Sequence, residues 1–295
     1  MSENLPVNLE TVSAREMAEL TGFRQETTGN GLPVLRVNYD DQDKDGNEIP
    51  RGQWTVLDVD GVAVYAKEVQ LVPMYATYQY SHYDADLGKQ ISVSTHFRKW
   101  SEEVPDSAGG YKCGKIPRKE VEKLSGPEKD LQRKIKLSRV VFGLLTATGL
   151  TKQGTERTIT NLPVVFYARG SNYMPMEDFL NKLNDDNIMP QTVVANLALK
   201  REKNNGVTYW EVVPTNSGSR KITKDDFDAI RVFDGLVRNE NDSILDKFAK
   251  ARTKGTRRSD EILSEKYRDK VIEGTSKSLA DDLNDTVPGD ILAAG

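Results

Sequence analysis

Residues 62–100 read VAVYAKEVQLVPMYATYQYSHYDADLGKQISVSTHFRKW, and the folding of this stretch decides the rest. Two runs rich in β-branched and aromatic residues flank a polar break that holds Asp84, Asp86 and Gly88. That pattern predicts a long antiparallel hairpin. Side chains alternate between the faces of a strand, so the register can be argued. With Tyr80 opposite Val93, one face gathers Met74, Ala76, Tyr78, Tyr80, Ile91, Val93, Thr95 and Phe97, an apolar set fit for a core. The other gathers Tyr75, Thr77, Gln79, Tyr83, Ser92, Ser94, His96, Arg98 and Trp100, polar residues with flat rings among them. A slip of one residue would mix the sets and bury His96 and Arg98, which selects this register.

Working outward, the same β signals recur. LPVLRVNY at 32–39 is a strand, and RGQWTVLDVDGVAVYA at 51–66 is a hairpin turning at Asp60-Gly61. IKLSRVVFGLLTA at 135–147 and LPVVFYARGSNYM at 162–174 are strands, and MEDFLNKL after them is a helical turn. Residues 191–213 form a further hairpin around Asn205-Gly206. Eight or nine short antiparallel strands make the class α+β, mainly antiparallel β, as a Greek-key barrel or sandwich. After Ser217 the apolar period lengthens to that of a helix. Thr223 and Asp226 form a capping box ahead of Phe227, Ile230, Phe233, Leu236 and Val237, and a second helix starts after Asn241-Asp242-Ser243. The chain divides into an arm at 1–30, a β domain at 31–216 with a basic connection at 101–134, a helical region at 217–274, and an acidic tail at 275–295. The tail has too little apolar surface to fold alone, so disorder is expected there.

At 295 residues the chain can bury a proper core without a disulfide or metal, and its one Cys fits a reducing, cytoplasmic setting. No run is apolar enough to span a membrane and the first residues do not resemble a signal peptide. The net charge of −4 hides an uneven distribution. Residues 112–139 hold ten Lys or Arg against four Asp or Glu, whereas 278–295 hold four Asp and no base.

The chemistry of common enzymes is missing from the sequence. It has no GxxxxGK[ST], HExxH or GxSxG, and no acidic residue is followed two positions later by Lys. The expectation is a protein that is not an enzyme and needs no cofactor. Asp41-x-Asp43-x-Asp45-Gly46 has the first half of a calcium loop, but position twelve is Gly52 where a bidentate Glu is needed, so an acidic hairpin loop is the reading. His82, His96 and Cys113 could supply three zinc ligands without an evident fourth; two surface His and a small buried Cys account for them as well.

The positive signal is aromatic and basic. Single-stranded nucleic acid is held by rings that stack on bases and by Lys and Arg that follow the phosphates. Tyr75, Tyr83, His96, Arg98 and Trp100 supply the first need, and Lys112, Lys115, Arg118, Lys119, Arg133, Lys134, Lys136 and Arg139 supply the second.

The phrases GLPVLRVNYD, PRGQW, AKEVQLVPMYATYQYSHYD, GGYKCGKI and RGSNYM resemble those of single-stranded DNA-binding proteins of tailed bacteriophages. The resemblance implies an elaborated OB-type barrel followed by helices and an acidic tail. It also implies a role in coating single-stranded DNA during replication or recombination, in the host cytoplasm. Asp281, Asp282, Asp285 and Asp290 would recruit replication or recombination proteins, although the ending Ile-Leu-Ala-Ala-Gly departs from the denser acidic and aromatic tip of such tails. A virion or scaffold protein, or a regulator that binds another protein through residues 223–252, are the competing readings.

Overall fold

The computed structural model describes residues 31–43, 45–84, 87–100, 103–204 and 206–253. The arm at 1–30, the weaker helix after the basic run near 250–258, and the acidic tail with its four Asp lie outside the described residues. Nine strands form one sheet: β1 (Val34–Val37), β2 (Trp54–Leu57), β3 (Ala63–Ala66), β4 (Glu68–Asp84), β5 (Lys89–Val93), β6 (Ile135–Thr151), β7 (Glu156–Arg169), β8 (Val193–Asn204) and β9 (Val207–Ser219). Among the described residues four α-helices accompany them: α1 (Arg118–Val121), α2 (Gly126–Lys134), α3 (Tyr173–Asp185) and α4 (Lys224–Thr253). The class is α+β with a mostly antiparallel sheet and a C-terminal helix.

β3 and β4 are separated only by Lys67, and β6 pairs with both, Thr151 with Val64 and Thr146 with Gln70. β6 also pairs with β7, β7 with β1, β1 with β2, and β2 with β3, so the sheet closes a circuit β1-β2-β3-β6-β7. In place of a Greek-key order, the circuit follows the chain and is closed by the parallel pair β1–β7. Two glycines let β6 curl tightly enough. A Cβ at Gly149 would lie 2.2 Å from the Tyr65 carbonyl oxygen, and one at Gly143 2.5 Å from that of Val72.

The inside of the circuit is packed by Leu35, Trp54, Val64, Leu71, Leu145 and Phe166, with Met176 and Leu180 of α3 against it. Trp54 donates its indole N–H to the Leu197 carbonyl at 2.8 Å, which satisfies the one polar atom of a fully buried ring. On the outer face Val140, Phe142 and Val165 meet Phe233 and Val237 of α4. A third cluster gathers Tyr78, Tyr80, Cys113, Ile135, Leu137 and Tyr173, with Phe97 and Trp100 packed on it.

The hairpin of β4 and β5 exists, but its register differs from the expected one. Val93 faces Ser81, not Tyr80, and the pairing shifts between His82 and Tyr83, where β5 carries an extra residue. A second shift between Pro73 and Tyr75 sets Met74 aside from the ladder, and Met74 joins Phe142 on the outer side, away from Ala76 and Tyr78. The turn at Asp60-Gly61 lies within a wider loop, since Leu57 pairs with Ala63 and the Asp58 carboxylate caps the amides of Asp60 and Val62. The hairpin of β8 and β9 forms as read, with Asn204 opposite Val207. Among the described residues past Ser217 there is one helix where two were expected. α4 runs unbroken through Asn241-Asp242-Ser243 and packs back on the sheet. Its capping box stands: the Thr223 amide donates to Asp226 Oδ2 at 2.7 Å, and Arg220 holds the same carboxylate.

Candidate nucleic-acid interface

Strand alternation brings Tyr75, Thr77 and Gln79 of β4 to one outer face, and the chain beyond β5 adds His96 and Arg98 to it. This much matches the expectation, but the face is covered. α4 lies over it, and the helix is tied down by polar contacts as well as by Phe233. Tyr75 donates its hydroxyl to Asp234 Oδ1 at 2.9 Å, and the Arg98 guanidinium sits over the Tyr75 ring at 4.7 Å while pairing with the same carboxylate at 2.8 Å. The His96 amide donates to Asn241 Oδ1 at 2.6 Å, and Asn241 Nδ2 donates back to the His96 carbonyl at 3.1 Å. Gln79 Nε2 donates to Glu240 Oε1 at 3.0 Å. His96 Nδ1 is 2.8 Å from Thr77 Oγ1, and its Nε2 is 3.2 Å from Glu240 Oε2. Burial pushes the Tyr75 hydroxyl pKa up, with Asp234 adding to the shift and Arg98 opposing it. The hydrogen bond from Tyr75, with Arg238 and Arg98 beside it, holds Asp234 below the usual carboxylate range.

Trp100 does not share this face. After Val93 the chain leaves regular pairing, and the indole packs against Tyr78 and Phe97 at 5.0 Å and 5.3 Å between centroids. His82 and His96, expected at the surface, are both buried at 5% exposure, and Cys113 is buried as expected. Among the described residues no group of three or more His, Cys, Asp or Glu is placed to hold a metal ion. The acidic stretch after Tyr39 is a hairpin loop in which Asp43 Oδ1 accepts from the amides of Asp45 and Asn47.

The basic residues separate into inner and outer ones. Arg139 is inner: its Nε lies 3.0 Å from the buried Glu177 carboxylate, which also accepts from Tyr78 at 2.7 Å, and its guanidinium stacks over Tyr78 at 4.2 Å. A buried pair so enclosed cannot reach a phosphate. Lys115 donates to the Gln132 carbonyl at 3.2 Å and is half-buried, as is Lys112, whose backbone is left-handed at φ 52°. Arg118 is near Glu122 at 3.8 Å, Arg133 near Asp130 at 3.1 Å, and Lys119 is exposed. Surface pairs of this kind add little to stability and release readily to a stronger anion. Lys134 reaches Asp84 at 3.5 Å, and Lys136 stands opposite Ser81, two positions before Tyr83 on the same face of β4; Tyr83 is 48% exposed near the end of that strand.

The sequence reading missed three residues on this same outer face. Arg169 pairs with Ser138, two positions from Lys136 on β6, and Tyr167 pairs with Val140. The parallel ladder Val34 to Val165 and Leu35 to Phe166, carried one residue on, sets Arg36 beside Tyr167. Burial and then Glu240 push the Tyr167 hydroxyl pKa far up, against the pull of Arg36 and Arg169. Both arginines are exposed, and neither is ion-paired with another described residue. Their signal was the alternation itself, since Arg36 lies between inward Leu35 and Val37, and Arg169 follows inward Phe166 and Ala168.

Comparison with protein-family models, with curated proteins and with solved structures gave no match. No described helix is long and apolar enough to cross a membrane.

Proposed function

We propose that this protein binds single-stranded DNA, coating and protecting it in phage replication, recombination or repair. The observation that carries the reading is exposed Tyr83 at the end of β4, on the same face as Lys136 and next in the chain to Asp84, which Lys134 reaches. Helices α1 and α2 follow in the chain and add Arg118, Lys119, Lys129 and Arg133, with Lys123 in the turn between them. A ring for stacking next to cations for phosphates is what sequence-tolerant binding of a flexible strand requires. The five-strand circuit would serve as an OB-type barrel does, with the strand lying across its outer face, although its strands follow chain order.

A second reading rests on α4, whose Phe227 and Val232 are 57% and 58% exposed. Apolar side chains on an outer helix face would suit a regulator that docks on another protein. Titration with a poly-pyrimidine oligonucleotide at low and high salt separates the two. DNA binding requires an affinity that falls with salt, by about 0.7 log units per log unit of salt for each phosphate contact. A protein-docking role predicts no such binding.

A further inference from the structure

We infer that Arg36 and Arg169, with Tyr167 between them, form the far half of the DNA track and receive phosphates of the strand that stacks on Tyr83. The inference rests on the single-stranded DNA reading and extends it along the same face of the sheet to strands β7 and β1. Tyr83 on β4, Lys136 on β6, Arg169 on β7 and Arg36 on β1 all project from one face of adjacent strands. Strands about 4.8 Å apart put roughly 14 Å between β4 and β1, enough for a short run of nucleotides. Lys136 and Arg169 are diagonal neighbours, about 7–8 Å apart at the backbone. The path therefore carries a cation on each of three successive strands.

The charge balance along the path favours an anion. The nearby carboxylates are already engaged: Asp84 pairs with Lys134 at 3.5 Å, and Glu240 is engaged by Gln79 at 3.0 Å and lies 3.2 Å from His96. Arg36 and Arg169 have no such carboxylate of their own among the described residues. A guanidinium presents a fork of donors that matches phosphate oxygens. Tyr167 itself packs with Phe233 and Val237 under α4, so this half of the track holds the strand through the two exposed arginines and not through a stacked base. A free phosphate would need a closed pocket, whereas these residues stand in an open row, so the ligand is a strand.

The test is anisotropy titration of full-length protein with labelled oligothymidine across a salt series. Wild type is compared with Arg36→Glu/Arg169→Glu, with the milder Arg36→Gln/Arg169→Gln, and with Arg231→Glu on the exposed side of α4 as control. Loss of two phosphate contacts should weaken binding roughly tenfold or more at low salt and lower the salt slope by about 1.4. The Gln pair should show the same loss in smaller measure, and the thermal midpoint should not move. If wild type binds and the Glu pair stays within about twofold of the control, the track does not extend to β7 and β1 while the DNA reading stands. If wild type does not bind oligothymidine at any salt concentration, the DNA reading fails and takes this inference with it.

Discussion

Glu240 Oε2 lies 3.2 Å from His96 Nε2, and through this contact α4 closes over the face where Tyr75, His96 and Arg98 meet. The helix carries Asp234, Glu240 and Asn241 to the positions that the strands' cations and donors address. What reads as an open polar face in the sequence is thus a helix–sheet interface. Its remaining open end decides where a ligand can lie.

The Asn241 amide bridges both backbone groups of His96, so removing it strands a donor and an acceptor beneath α4. Asn241→Ala should cost about 1–3 kcal/mol in urea unfolding, because a buried backbone group without a partner keeps its desolvation cost. Asn241→Asp should cost less if it keeps the bond from the His96 amide, and hydrogen exchange at that amide reports the difference directly.

Phe233→Ala removes a fully buried ring from between α4 and Phe142 and should cost about 3–5 kcal/mol. Trp100→Ala should also lower stability, by less than the about 3–5 kcal/mol of a fully buried ring, since its indole is half-buried against Tyr78 and Phe97. Its oligonucleotide affinity should stay at the wild-type value. An affinity loss in Trp100→Ala with no change in melting temperature would place the indole at the DNA.

The Asp234 carboxyl has its folded-state pKa lowered, foremost by the hydrogen bond from Tyr75. A lowered folded pKa contributes stability above the ordinary carboxylate range, and that contribution is lost as pH falls through the folded value. Docking of α4 should therefore weaken on acidification below the ordinary carboxylate range. In Asp234→Asn this part of the pH dependence should vanish. Urea midpoints of both proteins along a pH series measure it, and parallel curves would show that Asp234 does not tie the helix down.

Gly149→Ala should destabilise the circuit, because the added methyl would meet the Tyr65 carbonyl at 2.2 Å, where only backbone movement makes room. A thermal midpoint equal to wild type would show that β3 and β6 separate without cost.

Where local pattern governs, the sequence was readable. The alternating runs became strands, β8 and β9 pair as a hairpin with Asn204 opposite Val207, and Thr223 caps α4 through Asp226. The failures share a physical cause, a tertiary contact with no local sign. Asn241-Asp242-Ser243 has the composition of a break, yet the helix passes through because Asn241 spends its side chain on His96. The set-aside Met74 reverses the parity of the outer face, and a bulge residue of that kind carries no compositional mark. Arg139 belongs by charge to the basic run, but its strand turns it inward to Glu177. In the candidate site, alternation correctly joined Tyr75, His96 and Arg98. It could not foresee that a helix whose Asp234 lies 136 residues along the chain from Arg98 would cover them.

The central claim is that DNA lies on the uncovered end of the outer face, and titration of oligothymidine into wild type and Tyr83→Ala across a salt series tests it most directly. Tyr83 is exposed, so its loss should leave the melting temperature unchanged and weaken binding by about 1–3 kcal/mol at every salt concentration, with the slope preserved. Equal affinities for the two proteins, or no binding by wild type at low salt, would contradict the account.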